Sequence, residues 1–167
     1  MPETSQGVAT LDEFDFPTWL RERRRALGLT QAEAASRLGL ARPNYVAMER
    51  GTRVPQPKTE RALRERLSAR PSELVRRNRQ AARAAISAQG FVNPRLFGSS
   101  AHDADGSDSD IDLLVTPGPD RQRTSLLDVV RLQDTLARLL TIPVDVVVDR
   151  GRHNLAFDAI RATAVPL

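Results

Sequence analysis

The spacing of apolar positions along the chain changes character once. From Pro17 to Gly90 they recur at helical intervals. Pro17, a good first-turn residue, opens TWLRERRRALGL, where Trp19, Leu20 and Leu27 are apolar, the arginines form an outer face, and Gly28 ends the run. LTQAEAASRLG starts with Thr30 and Glu33 at capping-box spacing and stops at Gly39. ARPNYVAMERG gives a third short helix closed by Gly51. TRVPQP is a loop, since Pro55 and Pro57 do not fit a helix interior, and KTERALRERLSA is a fourth helix. RPSELVRRNRQAARAAISAQG reads as a longer basic amphipathic helix with Ser72 as N-cap and Gly90 as its stop.

After Gly90 two-residue alternation takes turns with helical spacing. RLFGS and DIDLLVTP read as strands, TSLLDVVRLQDTLARLL as a helix, PVDVVVD as a third strand, and LAFDAIRATA as a closing helix. Strands alternating with helices imply a small α/β sheet. The expected architecture is therefore two domains: an all-α N-terminal bundle, then an α/β (α+β) domain with a small mixed sheet. The expected boundaries are a loose arm over 1–16, a helical domain over 17–70, and the sheet domain over 71–167.

Composition narrows the class. The chain has 167 residues, 40% hydrophobic and 28% charged, which suits a soluble globular protein. No apolar run approaches the ~18–20 residues that span a bilayer, and MPETSQGVATLDEFDF lacks the basic and apolar regions of a signal peptide. A cytoplasmic location is expected. Zero cysteines exclude disulfides and thiolate metal sites, and two histidines, His102 and His153, argue against a zinc site. From Met1 to Gly90 there are 17 Arg and Lys against 10 Asp and Glu; from Phe91 to Leu167 there are 8 against 11. A basic half joined to an acidic half suggests two modules with different partners, the first binding a polyanion, while composition alone favours the plainer reading of Arg-rich helices as solvated faces.

Two short helices, Gln31 to Leu38 and Arg42 to Arg50, separated by a turn that begins at Gly39, have helix-turn-helix proportions. LRERRRALGLTQAEAASRLGLARPNYVAMERGTRVP resembles the Cro/XRE-type helix-turn-helix family, in its GLTQ helix start, its small Ala35 and its closing ERG. The resemblance implies that Arg42 and Asn44 read bases, Arg gripping guanine and Asn adenine, while Gln31, Arg50 and Arg53 meet phosphates. Tyr45 and Met48 fall at core-facing positions, and Ala47 offers no polar base reader. The expected ligand is operator DNA, bound by a homodimer on a two-fold-related site.

The stretch LFGSSAHDADGSDSDIDLLV holds five aspartates: Asp103, Asp105, Asp108, Asp110 and Asp112. An EF-hand reading fails, because counting back from Gly106 as the sixth position puts Ala101 at the first. The first three aspartates read as turn formers in a loop. Asp110 and Asp112, by contrast, alternate with Ile111 and Leu113, so a strand places both on one face. Side-by-side carboxylates repel unless a cation lies between them, and Mg²⁺ bound by carboxylates and substrate phosphates is the usual solution. Asp145 sits on a strand with Val144, Val146 and Val148 on its other face. Gly98 lets the backbone approach a phosphate, and Ser99 adds a hydroxyl.

Gly98-Ser99, ten residues, then Asp110-x-Asp112 resembles the signature of the polymerase-beta-like nucleotidyltransferases. The segment from Pro71 to Leu167 is similar to the minimal nucleotidyltransferases of the MNT/MntA antitoxin type. That resemblance implies ATP and Mg²⁺, with Gly98 and Ser99 holding the triphosphate, Asp110 and Asp112 binding metal, and Asp145 binding metal or activating the acceptor. It also implies an antitoxin that transfers AMP to a tyrosine of a HEPN-type RNase toxin encoded by the adjacent gene, forms a hetero-oligomer with it, and represses its own operon. Relatives commonly read GSRARG where this chain reads GSSAHD, with Ser100 and His102 replacing arginines and Asp103 a glycine. Two lost cations and one gained anion weaken the grip on a triphosphate, so a catalytically inactive antitoxin or regulator that acts by binding is the alternative.

Overall fold

The computed structural model describes residues 15–102, 104–119, 124–151 and 155–167. Most of the N-terminal arm, Asp103 and His153 lie outside them. The elements run in the order α1 (Phe16–Ala26), α2 (Gln31–Leu38), α3 (Arg42–Glu49), α4 (Pro57–Arg66), α5 (Pro71–Ala88), β1 (Phe91–Phe97), a 3₁₀ turn (Ser99–His102), β2 (Ile111–Pro117), α6 (Leu126–Leu140), β3 (Val144–Val148), α7 (Leu155–Thr163) and β4 (Val165–Pro166). A helical N-terminal region thus precedes an α/β region whose four-stranded mixed sheet has the order β3-β2-β1-β4. β1 is antiparallel to β2 and β4, while β2 and β3 are parallel.

Local chemistry accounts for the helix ends. Thr30 and Glu33 form the reciprocal capping box, and Gly39 takes a left-handed conformation at φ 70° to stop α2. Ser125 and Asp128 form a second capping box at α6. Trp19, Leu20, Ala35, Leu38, Tyr45 and Met48 are all buried, as their spacing requires. Burying each large apolar side chain stabilises the fold by roughly 1.5–3 kcal/mol.

Three local expectations need correction. The strand expected over RLFGS begins earlier, at Phe91, and its ladder with β2 is interrupted between Val92 and Arg95, where Asn93 takes φ 51°. Ser72 is not the N-cap of α5: Pro71 fits the first helical turn, so the helix starts two residues earlier than a Ser72 cap would place it, with Arg70 as its cap. The capping carboxylate comes from afar, because the Ser72 N–H donates to Asp105 Oδ2 at 2.7 Å. Asp105 is buried and ties its own stretch of backbone to the start of α5. The arginines of α1 do not all face outward either. Arg24 Nε donates to Glu49 Oε1 at 2.6 Å, and buried Arg23 donates through Nη2 to the Thr141 carbonyl at 3.0 Å.

That last bond joins the helical region to the sheet region. α5 reinforces the junction at a kink, where Asn78 leaves helical geometry and its Nδ2 donates to both Leu74 O and Ala26 O. The sheet's helix-covered face buries Ile111, Leu113, Val115, Val144 and Val146. Period-two alternation sends Asp112 and Asp145 to the other face.

Candidate functional site

β1 and β2 pair so that Phe97 stands opposite Asp112, and β2 and β3 pair so that Asp112 stands opposite Asp145. Asp110 immediately precedes β2. Gly98 follows β1 with φ 68°, a conformation glycine adopts freely, and a methyl group there would collide with Asp112 Oδ2. The backbone thus lies directly against the Asp112 carboxylate. Ser99 begins the 3₁₀ turn that follows. Sequence neighbours and chain-distant residues meet here because a parallel strand pair brings the first residues of β2 and β3 to the same end of the sheet.

Negative charge gathers at this corner. Burial, then the charges of Asp145 and Asp110, push the Asp112 carboxyl above its usual range. Gln133 Nε2 on α6 lies 3.5 Å from Asp145 Oδ1 and helps to orient it. Among the described residues no three His, Cys, Asp or Glu side chains form a metal cage by themselves. Magnesium does not need one: it takes one or two carboxylates and completes its shell with water and substrate phosphate oxygens. Asp110, Asp112 and Asp145 have the hard oxygen donors that such an ion prefers.

Ser100 is 4% exposed, and its Oγ donates to the Asp110 carbonyl at 3.1 Å. Its hydroxyl supports the backbone under Asp110 and does not project toward a phosphate. His102 is exposed. Sequence reasoning missed a further acid beside this sheet, Asp149, just beyond β3. It is buried, pairs with Arg161 at 2.6 and 2.8 Å and with Arg95 at 3.5 Å, and accepts from the Gly151 N–H. The Arg161 contact holds its carboxyl down to about 2. This group fastens α7 to the sheet at the end of the strands opposite Asp112 and Asp145.

In the helical region Arg42 and Arg50 are exposed at the two ends of α3, and Arg53 is exposed beyond it. Asn44 Oδ1 accepts from Arg53 Nη1 at 2.9 Å, so its amide is partly engaged. Gln31 Nε2 donates to Glu49 Oε2 at 2.9 Å. Glu49, 5% exposed, also accepts from Arg24 and from the Tyr45 hydroxyl, the latter at 2.7 Å. This hub ties α1, α2 and α3 together. The sequence signal for it was the glutamate of ERG, a charged residue at a position of the helix whose neighbours are buried.

Residues 20–74 match a family model described as a helix-turn-helix, and residues 92–163 match one described as a nucleotidyltransferase domain. A solved structure described as a candidate minimal nucleotidyltransferase is 36% identical, over 57% of this chain and 95% of that one, with a TM-score of 0.50. No curated protein matches the chain.

Proposed function

This chain belongs to the minimal nucleotidyltransferases, and from that premise we propose that it transfers AMP from ATP to a tyrosine of a partner toxin and represses its own operon through the attached helix-turn-helix. The observation that carries the transferase reading is the meeting of Gly98, Asp112 and Asp145 at one end of the sheet. In this reading Gly98 and Ser99 cradle the triphosphate, and Asp110 and Asp112 hold Mg²⁺. Held there, Mg²⁺ would supply charge neutralisation at the phosphates and at the leaving group. The tyrosine oxygen forms a bond to the α-phosphorus, the bond to the β-phosphate oxygen breaks, and pyrophosphate leaves. In this reading Asp145 accepts the phenolic proton or shares the ion. The partner is a HEPN-type RNase encoded by the adjacent gene, held in a hetero-oligomer in the cytoplasm, with a homodimer engaging the operator.

A second reading, neutralisation by binding alone, is favoured by Ser100 and His102, neither of which supplies the cation that relatives carry at those positions. Incubating the protein with labelled ATP, Mg²⁺ and the adjacent gene's product separates the two. Label on the partner that is lost with Asp110→Ala and Asp112→Ala together supports transfer. A tight complex without label, equally neutralising in the double variant, refutes it. For the DNA role, Arg42→Ala lowers the preference for operator over random DNA, whereas Arg53→Ala chiefly reduces the salt dependence of binding.

A further inference from the structure

On its exposed side α3 borders a shallow groove of about 470 Å³ whose lining includes Gln31, Arg42, Pro43, Val46, Ala47 and Arg50. We propose that this groove accepts the C5-methyl group of a thymine, read by Val46 and Ala47; the inference rests on the DNA-reading role of the helix-turn-helix.

Three observations converge on that ligand. Tyr45 and Met48 supply the core contacts of α3, while Val46 and Ala47 are half-buried and lie outside the core cluster. Their remaining surface therefore faces the groove. Arg42, Val46 and Arg50 follow one another at four-residue spacing and share one stripe of the helix, so two guanidiniums flank an apolar floor. The neutral side chains near that floor each already make a hydrogen bond within the protein. Gln31 donates to Glu49, the Asn44 carbonyl accepts from Arg53, and Thr52 Oγ1 donates to the Ala47 carbonyl at 3.1 Å. A floor without a hydrogen-bonding group penalises a base edge that presents an amino group or a ring nitrogen. In the major groove the thymine methyl is the one apolar feature.

Removing a single buried methyl costs about 0.8 kcal/mol, which is about fourfold in affinity. The test selects preferred duplexes from a random-sequence library with the full-length protein and then replaces each thymine in turn by deoxyuridine, which deletes only the methyl. One thymine per half-site whose replacement weakens binding about fourfold supports the inference. So does disappearance of that penalty in Val46→Ala, provided the variant retains the wild-type melting temperature. Equal affinity for every deoxyuridine duplex overturns the thymine reading while leaving sequence-specific binding intact. A library that yields no preferred sequence overturns the DNA-reading role itself, and the inference with it.

Discussion

Gly98 and Asp112 are the residues on which the site turns. Alanine at position 98 meets two penalties: a left-handed backbone, at roughly 1–2 kcal/mol, and a collision with Asp112 Oδ2. Gly98→Ala is expected to lower unfolding free energy by about that amount in urea titrations and to reduce transfer at least tenfold; unchanged transfer would show that the turn does not shape the site. Asp112 predicts the opposite trend. Its folded carboxyl titrates above the unfolded one, so the native state binds more protons and the ionised group costs stability as pH rises through that range. Asp112→Asn is therefore expected to raise the melting temperature of the metal-free protein by a few degrees at most while abolishing transfer. Added Mg²⁺ should stabilise the wild type and not the variant. A variant that melts lower at neutral pH would mark Asp112 as a structural acid.

Among the elements, α7 is held to the sheet through Asp149 and Arg161. Because the Asp149 carboxyl is depressed to about 2, its contribution is complete above the unfolded value near 3.8 and is lost as pH falls from there toward 2. The expected size is on the order of 1 kcal/mol, given partial solvent screening. Asp149→Asn should flatten the stability profile between those limits, measured by urea unfolding at stepped pH; an unchanged slope would contradict the assignment. The elements legible in the sequence were those governed by neighbours in the chain. Thr30 with Glu33, Gly39 after α2, and the alternation about Ile111 and Val144 each carry their own signal. β4 has two residues and hence no period to read. Asp105 and Asp149 were not legible as fold-holding groups because their partners lie distant along the chain, at Ser72 and Arg161. The candidate acids were legible since strand alternation fixes their face, while their convergence with Asp145 required the parallel pairing of β2 and β3.

At the scale of the molecule, Arg23 carries the junction between the helical and sheet regions at a cost. Its Nη2 reaches Thr141, yet Nε and Nη1 are buried without partners, and burial followed by the nearby charge of Arg64 pulls its guanidinium down to about 10. An apolar side chain of similar length removes the unmet donors together with the single bond, so Arg23→Met should change stability by less than about 1 kcal/mol in either direction. A loss beyond 2 kcal/mol would mean that the Thr141 contact is worth more than this geometry implies. The junction sets a DNA-reading module beside a transferase fold, and the decisive claim concerns what the second does. The most direct measurement uses ATP labelled at the α- or the γ-phosphate, in parallel, with Mg²⁺ and the adjacent gene's product. Nucleotidyl transfer predicts that α-label stays on a tyrosine of the partner and γ-label departs as pyrophosphate, with neither retained when Asp110 and Asp112 are alanine. Retention of γ-label, or no label from either nucleotide on a partner that is nonetheless neutralised, would contradict it.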